Sequence, residues 1–313
     1  MIINKIGPFR NDLISDDYCL LGKLLSYSAD ELEFLPDFSE DKKVLIFSDF
    51  GGEHSSAKYV TYSFLFCSGD KIGVFQENIK TIRLRSGMNE PYKEYEFKEL
   101  KYRHIRDSIK EYFFAVDHFI HGVVLTVSIE KEITNLFNYE SNSFSKSACD
   151  ILLENGCGEW KRKDAEKVLR ITHILGFYIS LLCHSGQKIL WMCDNDAINE
   201  NGKKRNFKST QRILMKCLPL YSENHYELFG FCRSFDKDEL YGDLLSVPDF
   251  AAGIVQEVLS AKFKNLSDEI DESKIEPLKW MVNKSQFMSK LNIRIFKDEN
   301  TYRVSNDLFE AVM

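Results

Sequence analysis

Lys43-Val44-Leu45-Ile46-Phe47-Ser48-Asp49-Phe50-Gly51-Gly52 is the stretch that decides the fold. A short, nearly continuous apolar run closed by an aspartate and two glycines has the pattern of a strand buried on both faces and ended by a turn. The next segment, Tyr59 to Cys67, alternates β-branched and aromatic residues, which predicts an antiparallel hairpin with it. Further along, Lys188-Ile189-Leu190-Trp191-Met192-Cys193-Asp194 repeats the design of an apolar run terminated by an aspartate. Between and beyond these runs lie segments of helical period. Arg103 to Phe119 carries Ile105, Ile109, Tyr112 and Val116 on one side; Asp164 to Cys183 carries Val168, Ile171, Leu175, Tyr178, Ile179 and Leu182, and Ser185-Gly186 closes it. Strands alternating with helices predict an α/β fold, a mixed sheet flanked by helices.

Working outward, Lys93 to Lys101 alternates charged and aromatic residues and reads as an edge strand, and Gly122 to Ile129 is a β-branched run. Phe207 to Leu218 is amphipathic, and Tyr226 to Arg233 reads as a strand. Val247-Pro248-Asp249 reads as the start of a helix reaching about Phe263, with proline in its first turn. The C-terminal part offers a helix from Glu276 and a hairpin around Asp298-Glu299-Asn300, flanked by Leu291 to Phe296 and Tyr302 to Ser305. Residues 1–40 form a polar lead-in whose one helix start is Ser28-Ala29-Asp30-Glu31-Leu32-Glu33. The expected organisation is therefore a lead-in over 1–40, a central unit over 41–265 with an insertion near 135–162, and an extension over 266–313.

The 313 residues are 44% hydrophobic and 28% charged, ample for a full core. Forty-one Lys and Arg against 48 Asp and Glu give a net charge of −7, so no global basic field attracts nucleic acid or anionic lipid, and any polyanion must be held locally. No apolar run approaches the roughly 18 residues of a membrane span, and Met1 to Leu13 lacks a signal-like apolar stretch. Eight cysteines without a CxxC pair read as small buried hydrophobes; a cytoplasmic setting and no membrane partner are expected.

In a sheet of this class ligands sit outside the carboxyl ends of the strands, where Asp49 and Asp194 both fall. Two buried carboxylates sharing a mouth raise one another's pKa, and a divalent metal removes the conflict. Hard oxygen donors suit Mg²⁺ or Mn²⁺ and phosphodiester hydrolysis. Asp249 is a third acid, read here at the start of a helix, where the macrodipole favours its ionised form.

Three motifs appear in order: Ser48-Asp49-Phe50-Gly51-Gly52, Glu99-Leu100-Lys101-Tyr102 and Val247-Pro248-Asp249-Phe250-Ala251-Ala252-Gly253. With strand-Asp194 between the last two, the chain over roughly 43–262 resembles the bacterial domain-of-unknown-function 3800 family, whose members look like relatives of the RNase H nucleases. That pattern opens Asp-Glu-Ser-Gly, so Phe50 replaces the Glu and Gly51 the Ser, with Glu53 a nearby substitute; Ser246 stands where Gln is usual. The resemblance implies an RNase H-like sheet on which Asp49, Glu99, Asp194 and Asp249 meet. Asp49 would bridge two Mg²⁺ or Mn²⁺ ions, Glu99 and Asp194 would hold one each, and Asp249 would position the metal that activates water. Lys101 would stabilise the charged phosphate, and a role in defence is implied as well.

A basic loop follows Asp194, and Lys203, Lys204, Arg205 and Lys208 are the candidates for gripping a nucleic-acid backbone. Asp194-Asn195-Asp196 lacks the glycine of a calcium loop, although Asp196 stands beside Asp194. His118 and His121 lack zinc spacing, and no nucleophile elbow, dinucleotide fingerprint or Walker lysine is present. The expected function is a metal-dependent nuclease acting on DNA or RNA. The alternative is a non-catalytic nucleic-acid-binding or protein-interaction member whose C-terminal extension meets a partner.

Overall fold

The computed structural model describes residues 3–15, 18–89, 93–133, 136–137, 147–194, 196–199, 206–233, 239–264, 271–299 and 301–309. In chain order its elements are β1 (Asn4–Ile6), α1 (Leu20–Asp30), β2 (Phe34–Pro36), β3 (Lys43–Gly51), β4 (Tyr59–Ser68), α2 (Gly73–Ser86), α3 (Arg103–Phe119) and β5 (Gly122–Glu130). They continue with α4 (Ala148–Glu154), α5 (Arg162–Leu182), β6 (Lys188–Cys193), α6 (Phe207–Cys217), β7 (Leu228–Arg233), α7 (Glu239–Lys264), α8 (Ile275–Val282), β8 (Met288–Asp298) and β9 (Thr301–Asn306). The fold class is mixed α/β: a seven-stranded sheet in the order β7-β6-β3-β4-β5-β8-β9, with helices on both faces.

The quoted stretch is β3, near the middle of that sheet. It pairs antiparallel with β4 and parallel with β6, as the hairpin and the repeated apolar run predict. β4 continues antiparallel to β5, and β7 adds in parallel to β6. Alternation along β3 sorts the two cores: Val44 and Ile46 join the side that α5 and α1 cover, while Phe47 joins the side of α2, α3, α7 and α8. α7 packs across β3, β4 and β5, and its Ala252 and Gln256 lie against Gly51 and Gly52 at the carboxyl end of β3. Six of the eight cysteines are buried and all eight are free, and no described helix is long and apolar enough to cross a membrane.

Four local expectations are corrected. Lys93 to Lys101 is not a strand; it holds a 3-10 turn at Phe97–Glu99, because its aromatic residues are engaged by the helices, Tyr95 with its hydroxyl 2.9 Å from Ser108 of α3 and Phe97 with its ring against Gly253 of α7. Asp249 is not in a first turn. α7 begins at Glu239 and runs through Pro248, so the macrodipole argument does not apply to Asp249. Ser28 does not open a helix: it lies in the last turn of α1, where Asn306 at the end of β9 donates to its backbone oxygen at 2.9 Å. Residues 1–40 are not simply a polar lead-in, since Leu21, Leu24, Leu25, Leu35 and Phe38 are wholly or almost wholly buried in the α5-side core. The C-terminal hairpin expected around 298–300 is present as β8 and β9, and it extends the main sheet. Within the expected insertion, residues 135 and 138–146 lie outside the described residues, and α4 is helical.

Candidate active site

Ser48 on β3 stands opposite Cys193 on the parallel β6, so Asp49 and Asp194 are the next residues outward on adjacent strand ends. The Asp194 N–H donates to the Ser48 carbonyl at 3.4 Å. Asp49 shares the α7 side with Phe47, two residues before it. Burial pushes its carboxyl up to about 8; the charge of Asp249 adds to this, a backbone hydrogen bond at Phe50 opposes it, and Asp194 and Asp196 raise it further.

Asp249 arrives from α7. Burial pushes it up to about 7, against a hydrogen bond in which Phe97 N–H donates to Oδ2 at 2.7 Å; Glu96 and Asp194 raise it and Lys98 lowers it. Asp49, Asp194 and Asp249 therefore sense one another across three separate segments of chain. Glu96 belongs to the same group. Glu99 lies two residues past Phe97 at the end of the 3-10 turn, where its charge acts on Lys98. Lys101 is exposed, with Nζ 5.2 Å from the centre of the Tyr102 ring; Lys98 is the lysine whose charge reaches Asp249.

Two glycines shape this mouth. Gly52 has φ +76°, and a Cβ there would lie 2.2 Å from the Tyr59 carbonyl oxygen and 2.7 Å from Gln256 Oε1, so the chain leaves β3 by a turn open to glycine alone. Gly253, one helical turn after Asp249, leaves a notch for the Phe97 ring, where a Cβ would come within 2.3 Å. The spacing of an aspartate and a glycine four residues apart thus has a physical basis: one holds the Phe97 backbone and the other seats its ring.

Beside Asp49 the α7-side floor of the sheet turns polar. Asp49 pairs with Ser63 and Ser63 with Thr126, whose side-chain oxygens are 3.0 Å apart. In the next row Thr61 faces Ser128, and Thr61 Oγ1, Ser128 Oγ and Gln256 Oε1 are buried oxygens without a hydrogen-bond partner. Groups of this kind are ordinarily satisfied by ordered water or a ligand.

On the α5 side a buried ammonium ties two loops together. Lys167 on α5 pairs with Asp196 at 2.5 Å and with Glu53, and sits 5.1 Å from the centre of the Phe50 ring. Against the cost of burial, hydrogen bonds from Lys167 and Lys163 hold Glu53 down to about 2. Glu53, the candidate substitute for the acid replaced by Phe50, is therefore engaged by these lysines. Sequence reading missed Lys167, Glu96 and the Phe97 contact. A lysine four residues before Ile171, on the apolar stripe of α5, was the one available signal for Lys167.

Among the described residues no three His, Cys, Asp or Glu side chains already stand close enough to hold a metal ion together. The donor chemistry nevertheless fits a hard divalent cation: two carboxylates forced towards their protonated forms, an exposed third on the adjacent strand end, and partnerless buried oxygens alongside. Of the basic loop, Lys203, Lys204 and Arg205 lie outside the described residues, and Lys208 is exposed in the first turn of α6.

No family model matches this sequence. No curated protein matches it either. Among solved structures, the chain is similar to one of the PCNA:RNase HII complex from Archaeoglobus fulgidus, with a TM-score of 0.33 and 13% identity over 76% of this chain and 87% of that one.

Proposed function

We propose that this chain is a Mg²⁺- or Mn²⁺-dependent nuclease hydrolysing phosphodiester bonds, on an RNase H-like sheet akin to the domain-of-unknown-function 3800 family. One observation carries the reading. Asp49 at the end of β3 and Asp249 on α7, 200 positions apart in sequence, are both buried carboxyls near enough for the charge of Asp249 to act on Asp49, and burial and neighbouring acids push them up to about 8 and about 7. The sheet supports it too: an antiparallel meander of β3, β4 and β5, with β6 and β7 added in parallel beside β3.

A bound divalent ion would supply a Lewis acid for the phosphoryl oxygen and a water of lowered pKa. Asp49, Asp249 and Asp194 are the residues that would hold it. Phe97 N–H fixes the Asp249 carboxylate, and exposed Asp194 can adapt to the ligand. Glu96 takes the outer acidic position expected of Glu99, and Lys98 the cationic one expected of Lys101. Lys208, with Lys203, Lys204 and Arg205, remains the proposed grip on the nucleic-acid backbone, and a cytoplasmic setting fits the free cysteines.

Cleavage of labelled single-stranded, duplex and hybrid substrates with Mg²⁺ or Mn²⁺ tests this, using wild type, Asp49→Asn and Asp249→Asn. Metal-dependent cleavage lost in both variants is the expected result; activity unchanged in both removes these acids from the chemistry. A non-catalytic nucleic-acid-binding role is the second reading, favoured by Phe50 in place of an acid and by the lysine pairing of Glu53. Binding without cleavage in any metal selects it.

A further inference from the structure

Helix α5 begins against its own dipole. Its N-cap is Lys161, without a side-chain cap, followed by Arg162 and Lys163, with Asp164 the one acid of the first turn. The partial positive charge of a helix start disfavours cations there, so a local rule is broken at an exposed position. Such conflicts concentrate where function compensates them.

A second lysine is held at the same place. Lys131, the residue after β5, donates through Nζ to the His54 carbonyl, and its backbone N–H donates to the Lys58 carbonyl at 3.0 Å. Burial, and then the charge of Lys163, lower its pKa while Glu53 raises it, and the two ammonium groups engage neighbouring residues of one loop, Lys131 the His54 carbonyl and Lys163 the Glu53 carboxylate. Both border the loop that follows Asp49. Lys163 pairs with Glu53 at 2.9 Å, Glu53 with Lys167, and Lys167 with Asp196, whose charge reaches Asp49.

We propose that Lys131 and Lys163 form a backbone-binding rim for a nucleic-acid strand, holding the phosphates that flank the carboxylate mouth on the α5 side. This rests on the nucleic-acid reading above, but not on hydrolysis. Two cations held on the Glu53–His54 loop beside an acidic centre answer the local requirement set by a net charge of −7. The carboxylates repel a polyanion except where metal is bound, while the rim supplies metal-independent, sequence-independent attraction beside them.

The test is fluorescence anisotropy of labelled DNA and RNA strands of about 12 nucleotides, in EDTA, across a salt series, with the full chain carrying Asp49→Asn. Each lost phosphate contact lowers the slope of log K against log salt by roughly 0.7 for single strands. Lys131→Gln and Lys163→Gln are each expected to lower the slope by about that much and together by about twice it. Lys131→Arg keeps the wild-type slope, and Lys80→Gln on α2 serves as the remote control. Slopes unchanged in both glutamine variants overturn the rim, as does an equal loss in the Lys80 control. An oligoglutamate that loses affinity in the same variants, with the oligonucleotide slope unchanged, assigns the surface to an acidic peptide and also overturns it. Cleavage is scored separately: reduced slopes without metal-dependent cleavage by wild type leave the rim standing and remove the nuclease reading, and the reverse result does the opposite.

Discussion

The ring of Phe97 rests in the notch that Gly253 leaves on α7, while the backbone N–H of the same Phe97 donates to Asp249 at 2.7 Å. One residue thus locks the connection between α2 and α3 onto the helix that carries a candidate metal ligand. The ring also packs edge-to-face on Phe250, with centroids 6.3 Å apart.

Gly253→Ala puts a Cβ within 2.3 to 2.8 Å of the Phe97 ring, which has to move. Overpacking of this kind costs about 1–3 kcal/mol, and displacement of Phe97 withdraws its N–H from Asp249. Urea unfolding is expected to show the loss of stability, and Mn²⁺ titration calorimetry a weaker association. Adding Phe97→Ala relieves the clash, so the double variant is more stable than the sum of the single effects predicts.

The two raised carboxyls make metal-free stability depend on pH with a definite sign. Asp49 is pushed up to about 8 and Asp249 to about 7, against 3.8 for the free side chain. Between pH 4 and 8 the folded state therefore holds more protons than the unfolded chain, and stability falls as pH rises. Asp49→Asn, which mimics the protonated acid, is expected to raise the melting temperature much more at pH 8 than at pH 5, where only about the first pH unit of the window has been crossed. A thermal melt in EDTA at the two values checks this. An equal shift at both denies that ionisation of Asp49 is the cause.

Arg83 is 2% exposed and grips the equally buried carboxylate of Asp243 through Nε at 2.9 Å, while its Nη1 donates to the Lys93 carbonyl at 2.7 Å. It joins α2, α7 and the start of the segment that presents Phe97. Removing one partner of such a pair strands the other charge, at a cost of about 3–5 kcal/mol. Arg83→Ala is expected to show that loss by urea unfolding, and Arg83→Met with Asp243→Leu a much smaller one.

Lys167→Met removes the ammonium that Glu53 and Asp196 share. Glu53, held down to about 2, is expected to titrate closer to its ordinary 4.5, with Lys163 retaining part of the shift. Carbon-detected NMR of the glutamate carboxyls reads this directly, and an unmoved Glu53 shows that Lys163 alone sets it.

The legible part of the fold is the part whose signal is local. β3 and its Asp, the β4 hairpin, α3, α5 and the C-terminal hairpin follow from periodicity and turn residues near at hand. The segment from Lys93 misled because its alternation is real but serves no ladder. Tyr95 is buried with its hydroxyl 2.9 Å from Ser108, and Phe97 fills the Gly253 notch. The sheet takes β7 and β9 as its edges instead, a long-range choice that nothing in 93–101 encodes. Likewise Pro248 imitates a helix start, although α7 begins at Glu239. The meeting of Asp49 with Asp194 was readable from two strands ended alike. That Glu96 and Lys98 are among the main charges acting on Asp249 depends on a 3-10 turn set by tertiary packing.

β8 pairs with β5 over Gly122–Ile129, and β5 is buried along its whole length. During synthesis the hydrogen-bonding groups of an interior strand must wait for residues 288–306 to leave the ribosome, so the emerging chain carries a raw, sticky edge while residues 131–287 are made. Premature stops or frameshifts upstream of Met288 expose that edge permanently, which makes shortened products candidates for aggregation rather than smaller working versions of the protein.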